Sequence, residues 1–284
     1  MALKLMYITN QPDVARIAES TGVEYIFVDM EYIGKKDRQG GMDTVQSYHT
    51  IEDICTIKNA LTTAKVLVRV NPIHEATEEY SDSSQEIDAA INAGADMLML
   101  PYFKTIEEVR TFLTLVDGRA KTLLLFETPE SVEVIDSILE LPGIDEAFIG
   151  LNDLSLGYGK KFMYELLADG TVETLCLKFK QKNIPYGFGG IAALGNGLLP
   201  AEKIIKEHYR LGSTRVILSR TFCDTSKISD RDVISSLFSD GLAEIRRFEK
   251  ECEEECEKDK AKAGTYFSDN MLEVKNIVSQ IIAI

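Results

Sequence analysis

The sequence predicts an α/β protein, a TIM (β/α)8 barrel with a C-terminal helical extension. Three observations carry this. Short apolar runs alternate with amphipathic helical stretches along most of the 284 residues. The runs are near-continuous in Val, Ile and Leu, which marks strands buried on both faces, as in a parallel sheet. The rival, a doubly wound open sheet, carries a fingerprint glycine loop after its first strand, and none stands here.

The strands read LKLMYIT (3–9), YIFVDME (25–31), KVLVRVN (65–71), DMLMLPY (96–102), KTLLLFET (121–128), EAFIGLND (146–153), IPYGFGG (184–190) and TRVILSR (214–220). Between them, TIEDICTIKNALTT (50–63), SSQEIDAAINAG (83–94) and TIEEVRTFLTLV (105–116) open on Ser or Thr with an acid in the first turn. That is N-cap chemistry, in which a side-chain oxygen satisfies the free amides of the first turn. Gly94 and Gly143 stand where helices should end.

Two segments, residues 32–49 and 241–284, exceed a minimal barrel. Residues 32–49 form a long polar loop after the second strand, on the face where barrels build active sites. Residues 188–204 carry a glycine-bearing loop, read as a tight turn or as a close approach to a ligand. Residues 1–240 are expected to form the barrel and residues 241–284 a helical extension. In the extension, Met271, Leu272, Val274, Ile277, Val278, Ile281 and Ile282 recur at helical spacing. This face must be covered: residues 265–284 are expected to pack against another copy of the chain, giving a homo-oligomer, the alternative being a fold back over the bottom of its own barrel.

A net charge of -15 excludes a nucleic-acid surface, which needs a basic stripe. No run approaches the ~20 apolar residues of a membrane helix. Five scattered cysteines fit free thiols in a reducing compartment, so a cytoplasmic protein is expected. Cys252 and Cys256 read as one face of a helix.

Polar residues ending apolar strands point into a barrel's mouth. Asp29 and Glu31 end the second strand on one face, Arg69 and Asn71 the third, Glu127 the fifth, and Asn152 and Asp153 the sixth. Several acids and one arginine on a single rim call for a counter-ion. A hard cation, Mg2+ or Mn2+, suits an all-oxygen donor set without histidine. The alternative is a set of barrel-mouth salt bridges, Arg69 with Asp29 for instance.

The run LLLFETPESVEVIDSILELPGIDEAFIGLNDLSLGYG (123–159) resembles the metal-dependent 2-oxo-acid aldolases and citrate lyase β-subunits of the phosphoenolpyruvate/pyruvate barrel superfamily. FVDME at 27–31, VLVRVN at 66–71 and INAGADMLMLP at 91–101 are also similar, in the same order. The resemblance implies Glu127 and Asp153 as metal ligands. It implies Arg69 as holder of the substrate carbonyl and of the enolate formed from it, and Glu31 as the acid orienting metal-bound water. The amides around Leu151, Asn152 and Asp153 would cradle a carboxylate.

The implied activity is carbon–carbon bond cleavage, or its reverse, on pyruvate or a related 2-oxo acid with an aldehyde or acyl partner. Tyr32 stands where those aldolases carry a histidine, and their Arg- and Gly-rich insertion before the metal-binding Glu is missing. These departures and Asn71 lean toward the citrate lyase branch, an acyl-CoA lyase or thioesterase. They also leave open a metal-binding barrel that has lost catalysis. The missing base is expected from His49, against a bland residue before a helix cap. Arg38 and Arg220 are expected to bind anionic substrate groups, against solvent exposure for Arg38 and a pairing with Glu31 for Arg220.

Overall fold

In a computed structural model of the chain, residues 2–35, 47–258 and 260–283 are described. The eight strands are β1 (Lys4–Ile8), β2 (Tyr25–Asp29), β3 (Lys65–Arg69), β4 (Met97–Leu100), β5 (Lys121–Phe126), β6 (Glu146–Ile149), β7 (Tyr186–Ile191) and β8 (Arg215–Leu218). All pair in parallel and close into a barrel in sequence order, with β8 against β1. The TIM barrel read from the sequence is the fold.

Strand side chains alternate between two cores. Met6, Tyr25, Phe27, Leu67, Met99, Leu125 and Phe148 fill the barrel axis. The opposite faces, such as Ile26, Val28, Val66 and Val68, pack against the surrounding helices. Gly187 lies inside because a Cβ there would stand 2.6 Å from the Phe148 ring and 2.4 Å from the Arg215 carbonyl.

The helices are α1 (Pro12–Ser20), α2 (Ile51–Ala60), α3 (Ser83–Asn92), α4 (Ile106–Val116), α5 (Pro129–Glu133), α6 (Ile135–Ile138), α7 (Leu151–Gly157), α8 (Glu165–Ala168), α9 (Thr171–Gln181), α10 (Ala201–Leu211), α11 (Arg231–Glu257) and α12 (Lys260–Ile282). Thr50 and Thr105 close capping boxes with Asp53 and Glu108. The cap of α3 is Asp82 rather than a serine, since its side chain accepts the Gln85 amide and Ser83 is already helical. Gly94 and Gly143 adopt φ of 111° and 91°, the left-handed turn that releases the chain into the next strand.

The extent of the sixth strand needs correction. The sixth strand stops at Ile149, and Gly150 caps α7, so Asn152 and Asp153 sit in a first helical turn and not on a strand end. A carboxylate is favourable there because the turn's amides carry partial positive charge. The boundary at residue 240 falls inside α11, a continuous helix in which Gly241 gives room to the Phe222 ring.

The C-terminal helix α12 lies along the flank of its own barrel, against α8, α10 and α11, and not across the bottom. Phe267, Val274 and Val278 are buried there, and Asn270 donates to the Lys203 carbonyl and to Glu207. Of the seven apolar positions read from the sequence, Val274 and Val278 are buried within the chain, Met271, Ile277, Ile281 and Ile282 are half-buried, and Leu272 is exposed. Among the described residues no helix is long and apolar enough to cross a membrane. All five cysteines are free thiols.

Candidate active site at the barrel mouth

Asp29 and Arg69 end neighbouring strands in register, so their side chains meet at the mouth. Arg69 Nε and Nη2 each donate at 2.8 Å to the two Asp29 oxygens, a bidentate fork. Lys35 Nζ adds a bond of 2.7 Å to Asp29 Oδ2. Glu31 completes the group, with Oε2 at 3.4 Å from Arg69 Nη1 and 3.7 Å from Lys35 Nζ. Among the described residues, two acids and two cations form a buried, charge-balanced quartet. Burial alone would raise the Asp29 carboxyl's pKa, but the charges and bonds of Arg69 and Lys35 hold it well below the usual range. Burial likewise opposes charge on Arg69, yet Asp29 and Glu31 keep it firmly protonated. The guanidinium also rests 5.5 Å above the Phe27 ring.

The turn after Glu31 is braced by Asn71. Asn71 Oδ1 accepts the amides of Tyr32 and Ile33 at 2.8 and 2.9 Å, while its amide nitrogen donates to Glu86. Tyr32 is stacked against Tyr48 and Tyr80, and its hydroxyl donates to the His49 carbonyl. His49 is buried, and its Nδ1 accepts the Asp29 amide at 3.0 Å. Burial lowers its pKa, outweighing the opposing charges of Asp29 and Asp53. The neutral ring therefore carries its proton on Nε2 and offers a donor. That geometry does not suit the proton-accepting role expected of His49.

On the far side of the mouth, Glu127 follows β5, and Tyr102 takes a left-handed conformation, φ 48°, that aims its amide at Glu127 Oε1 at 3.0 Å. Gly150 makes room for this carboxylate: a Cβ there would lie 2.6 Å from Glu127 Oε2. Asp153 faces the same space from α7. Glu127 and Asp153 are 4% and 7% exposed. With Arg69, Phe27, Leu151 and Asn152, both line a cavity of about 200 Å3, and both also line a neighbouring one of about 220 Å3.

A third cavity, about 350 Å3, joins Arg69 and Asn152 to His49, Asp29 and Arg220. The structure therefore gathers Arg69, Leu151, Asn152, Glu127 and Asp153 on one surface, with His49 and Arg220 on the adjoining one. Leu151 contributes its backbone there, since its side chain is buried against the position of Gly189. Glu31 lines none of these cavities, being held beneath by Arg69 and Lys35. Arg38 lies outside the described residues. Sequence reasoning missed Lys35; the available signal was a lysine one helical turn beyond Glu31.

Among the described residues no group of three or more His, Cys, Asp or Glu side chains is disposed to hold a metal. The donor set that fits a hard cation is the pair Glu127 and Asp153, since Mg2+ takes one or two protein carboxylates and leaves its other positions to water and substrate.

The mouth of a parallel barrel, where Arg69, Glu127 and Asp153 line one cavity, is the face on which barrel enzymes build their active sites. The sequence pattern of the HpcH/HpaI aldolase/citrate lyase family matches residues 4–166, and the chain belongs to that family. It is accordingly an enzyme of aldolase/citrate lyase type, a carbon–carbon lyase.

Solved structures share the fold. An HpcH/HpaI aldolase from Desulfitobacterium hafniense DCB-2 superimposes with a TM-score of 0.57 at 18% identity, over 77% of this chain and 86% of that one. An HpcH/HpaI aldolase/citrate lyase family protein from Burkholderia cenocepacia J2315 gives 0.61 at 14% identity, over 83% and 94%. The citrate synthase SbnG gives 0.57 at 17% identity, over 87% and 94%. No curated protein matches the chain.

Proposed function

We propose that the chain cleaves or forms a carbon–carbon bond through the enolate of pyruvate or a related 2-oxo acid, with Mg2+ or Mn2+ held by Glu127 and Asp153. The supporting observation is that Arg69 and these two buried carboxylates line one cavity of about 200 Å3, a volume suited to a small acid. A divalent cation bound there supplies the positive charge that stabilises an enolate.

The chain's own residues do the rest. Asp29 fixes the Arg69 fork, so the guanidinium faces developing oxyanion charge with no reorganisation. The first-turn amides of α7, at Leu151 and Asn152, have no intrahelical acceptor and suit a carboxylate. His49 donates from Nε2 to an oxygen of the second reactant, and Arg220, on the same cavity, binds a more distant anionic group. The free thiols support a cytoplasmic setting.

The commitment of His49 Nδ1 to a backbone amide supports a second reading, a metal-binding barrel without turnover. Deuterium exchange at the pyruvate methyl, followed by NMR in heavy water with Mg2+ or Mn2+, separates the two. Exchange above the metal-only rate is expected; its absence with both metals favours the second reading.

A further inference from the structure

The opposite end of the barrel carries its own cavity, about 630 Å3, larger than any at the mouth. Lys4, Lys65 and Lys121 line it, and they begin β1, β3 and β5. Each stands two residues before an axis residue, Met6, Leu67 or Leu123. Since strand side chains repeat every two residues, all three lysines lie on the inner face, where alternate strands supply one layer of a barrel.

The acids of the same cavity are already engaged. Glu19 accepts the amides of Thr62, Thr63 and Ala64 at 2.8, 2.6 and 2.7 Å. Asp96 is held by Lys58 Nζ at 2.7 Å and by the Val66 amide at 2.8 Å, and Lys65 approaches it only to 4.0 Å. Glu24 accepts the Leu5 amide at 2.7 Å and faces Arg246 at 3.5 Å. Lys4 and Lys121 have no ion-pair partner among the described residues. Like charges on one rim repel, and the group that resolves this is an anion reaching more than one of them at once.

We propose that this N-terminal cavity is a second ligand site, separate from the mouth, for a compact oxyanion carrying two or more charges, of phosphate or polycarboxylate type. The test is calorimetric titration of the full chain with inorganic pyrophosphate and with citrate, at constant ionic strength set by NaCl. Saturable binding is expected to at least one of them. It should survive in Arg69→Lys, whose change lies at the mouth, and weaken at least tenfold in the double variant Lys4→Gln/Lys121→Gln. Pyrophosphate alone binding assigns the phosphate class, and citrate alone the carboxylate class. No binding by either overturns the proposal. So does an affinity unchanged in the double variant, or one lost in Arg69→Lys and retained with the lysines replaced. Lys65→Gln alone, at a side chain more than half exposed, should weaken binding severalfold and guards against a misfolded double variant.

Discussion

Replacing Asp29 by Asn leaves the shape of the quartet and removes the charge at its centre. Asp29 takes two bonds of 2.8 Å from Arg69 and one of 2.7 Å from Lys35, with side-chain exposures of 2%, 16% and 5% for the three residues. Among the described residues, Arg69 and Lys35 then face Glu31 as their one remaining carboxylate. Breaking one side of a buried pair costs about 3–5 kcal/mol, because the surviving charge stays desolvated. Part of Arg69 reaches the cavity, so the lower end of that range is expected at pH 7 in urea unfolding.

The pH dependence follows from the direction of the Asp29 shift. Its folded pKa is depressed, so its contribution is fully present above the unfolded value of about 3.9. It is lost as pH falls below that value toward the folded one. Wild type should lose stability over that acid window, and Asp29→Asn should lose less. A destabilisation under about 1 kcal/mol at pH 7, the range of an exposed pair, would refute the quartet as the element that fixes Arg69.

Gly150→Ala places a methyl 2.6 Å from Glu127 Oε2 and 2.7 Å from its Cβ. Glu127 must swing away, and metal affinity should drop at least tenfold while the far-ultraviolet circular dichroism stays that of the barrel. Arg69→Lys keeps the charge but loses the planar fork, so proton exchange should fall by roughly 10²–10³ with metal binding retained; near-normal exchange would dismiss the assignment. Removing residues 265–284 uncovers the groove that Phe267, Val274 and Val278 fill. At about 1.5–3 kcal/mol per buried apolar side chain, the truncated chain should melt several degrees lower. Light scattering should give both forms the same mass if the helix serves only its own barrel.

The barrel was legible because strand burial and helix capping are local signals: every strand region stood out as an apolar run, and Thr50 and Thr105 announced their helices. Asp29, Glu127 and Arg69 were legible for the same reason, as polar residues closing apolar strands, whereas Asp153 stands in the first turn of a helix. What pairs with what was not. The Asp29–Arg69 fork depends on register between neighbouring strands, so the sequence offered that pair only as an alternative to a counter-ion. Lys35 looked like any lysine of a polar loop, since its burial is created by tertiary packing over Asp29. The hydrogen bond that sets the His49 tautomer comes from a backbone amide twenty residues away, which no side-chain pattern reveals. Gly150 as the end of a strand and the cap of a helix needed the Glu127 carboxylate beside it to be understood.

The central claim, a divalent-cation site made by Glu127 and Asp153 beside Arg69, is tested most directly by titrating the protein with Mn2+ and following the free-ion signal by electron paramagnetic resonance. One saturable site is expected in wild type, kept in Arg69→Lys, and weakened at least tenfold in both Glu127→Gln and Asp153→Asn. A wild-type chain that leaves the Mn2+ signal unchanged, or one that binds equally well without either carboxylate, would contradict it.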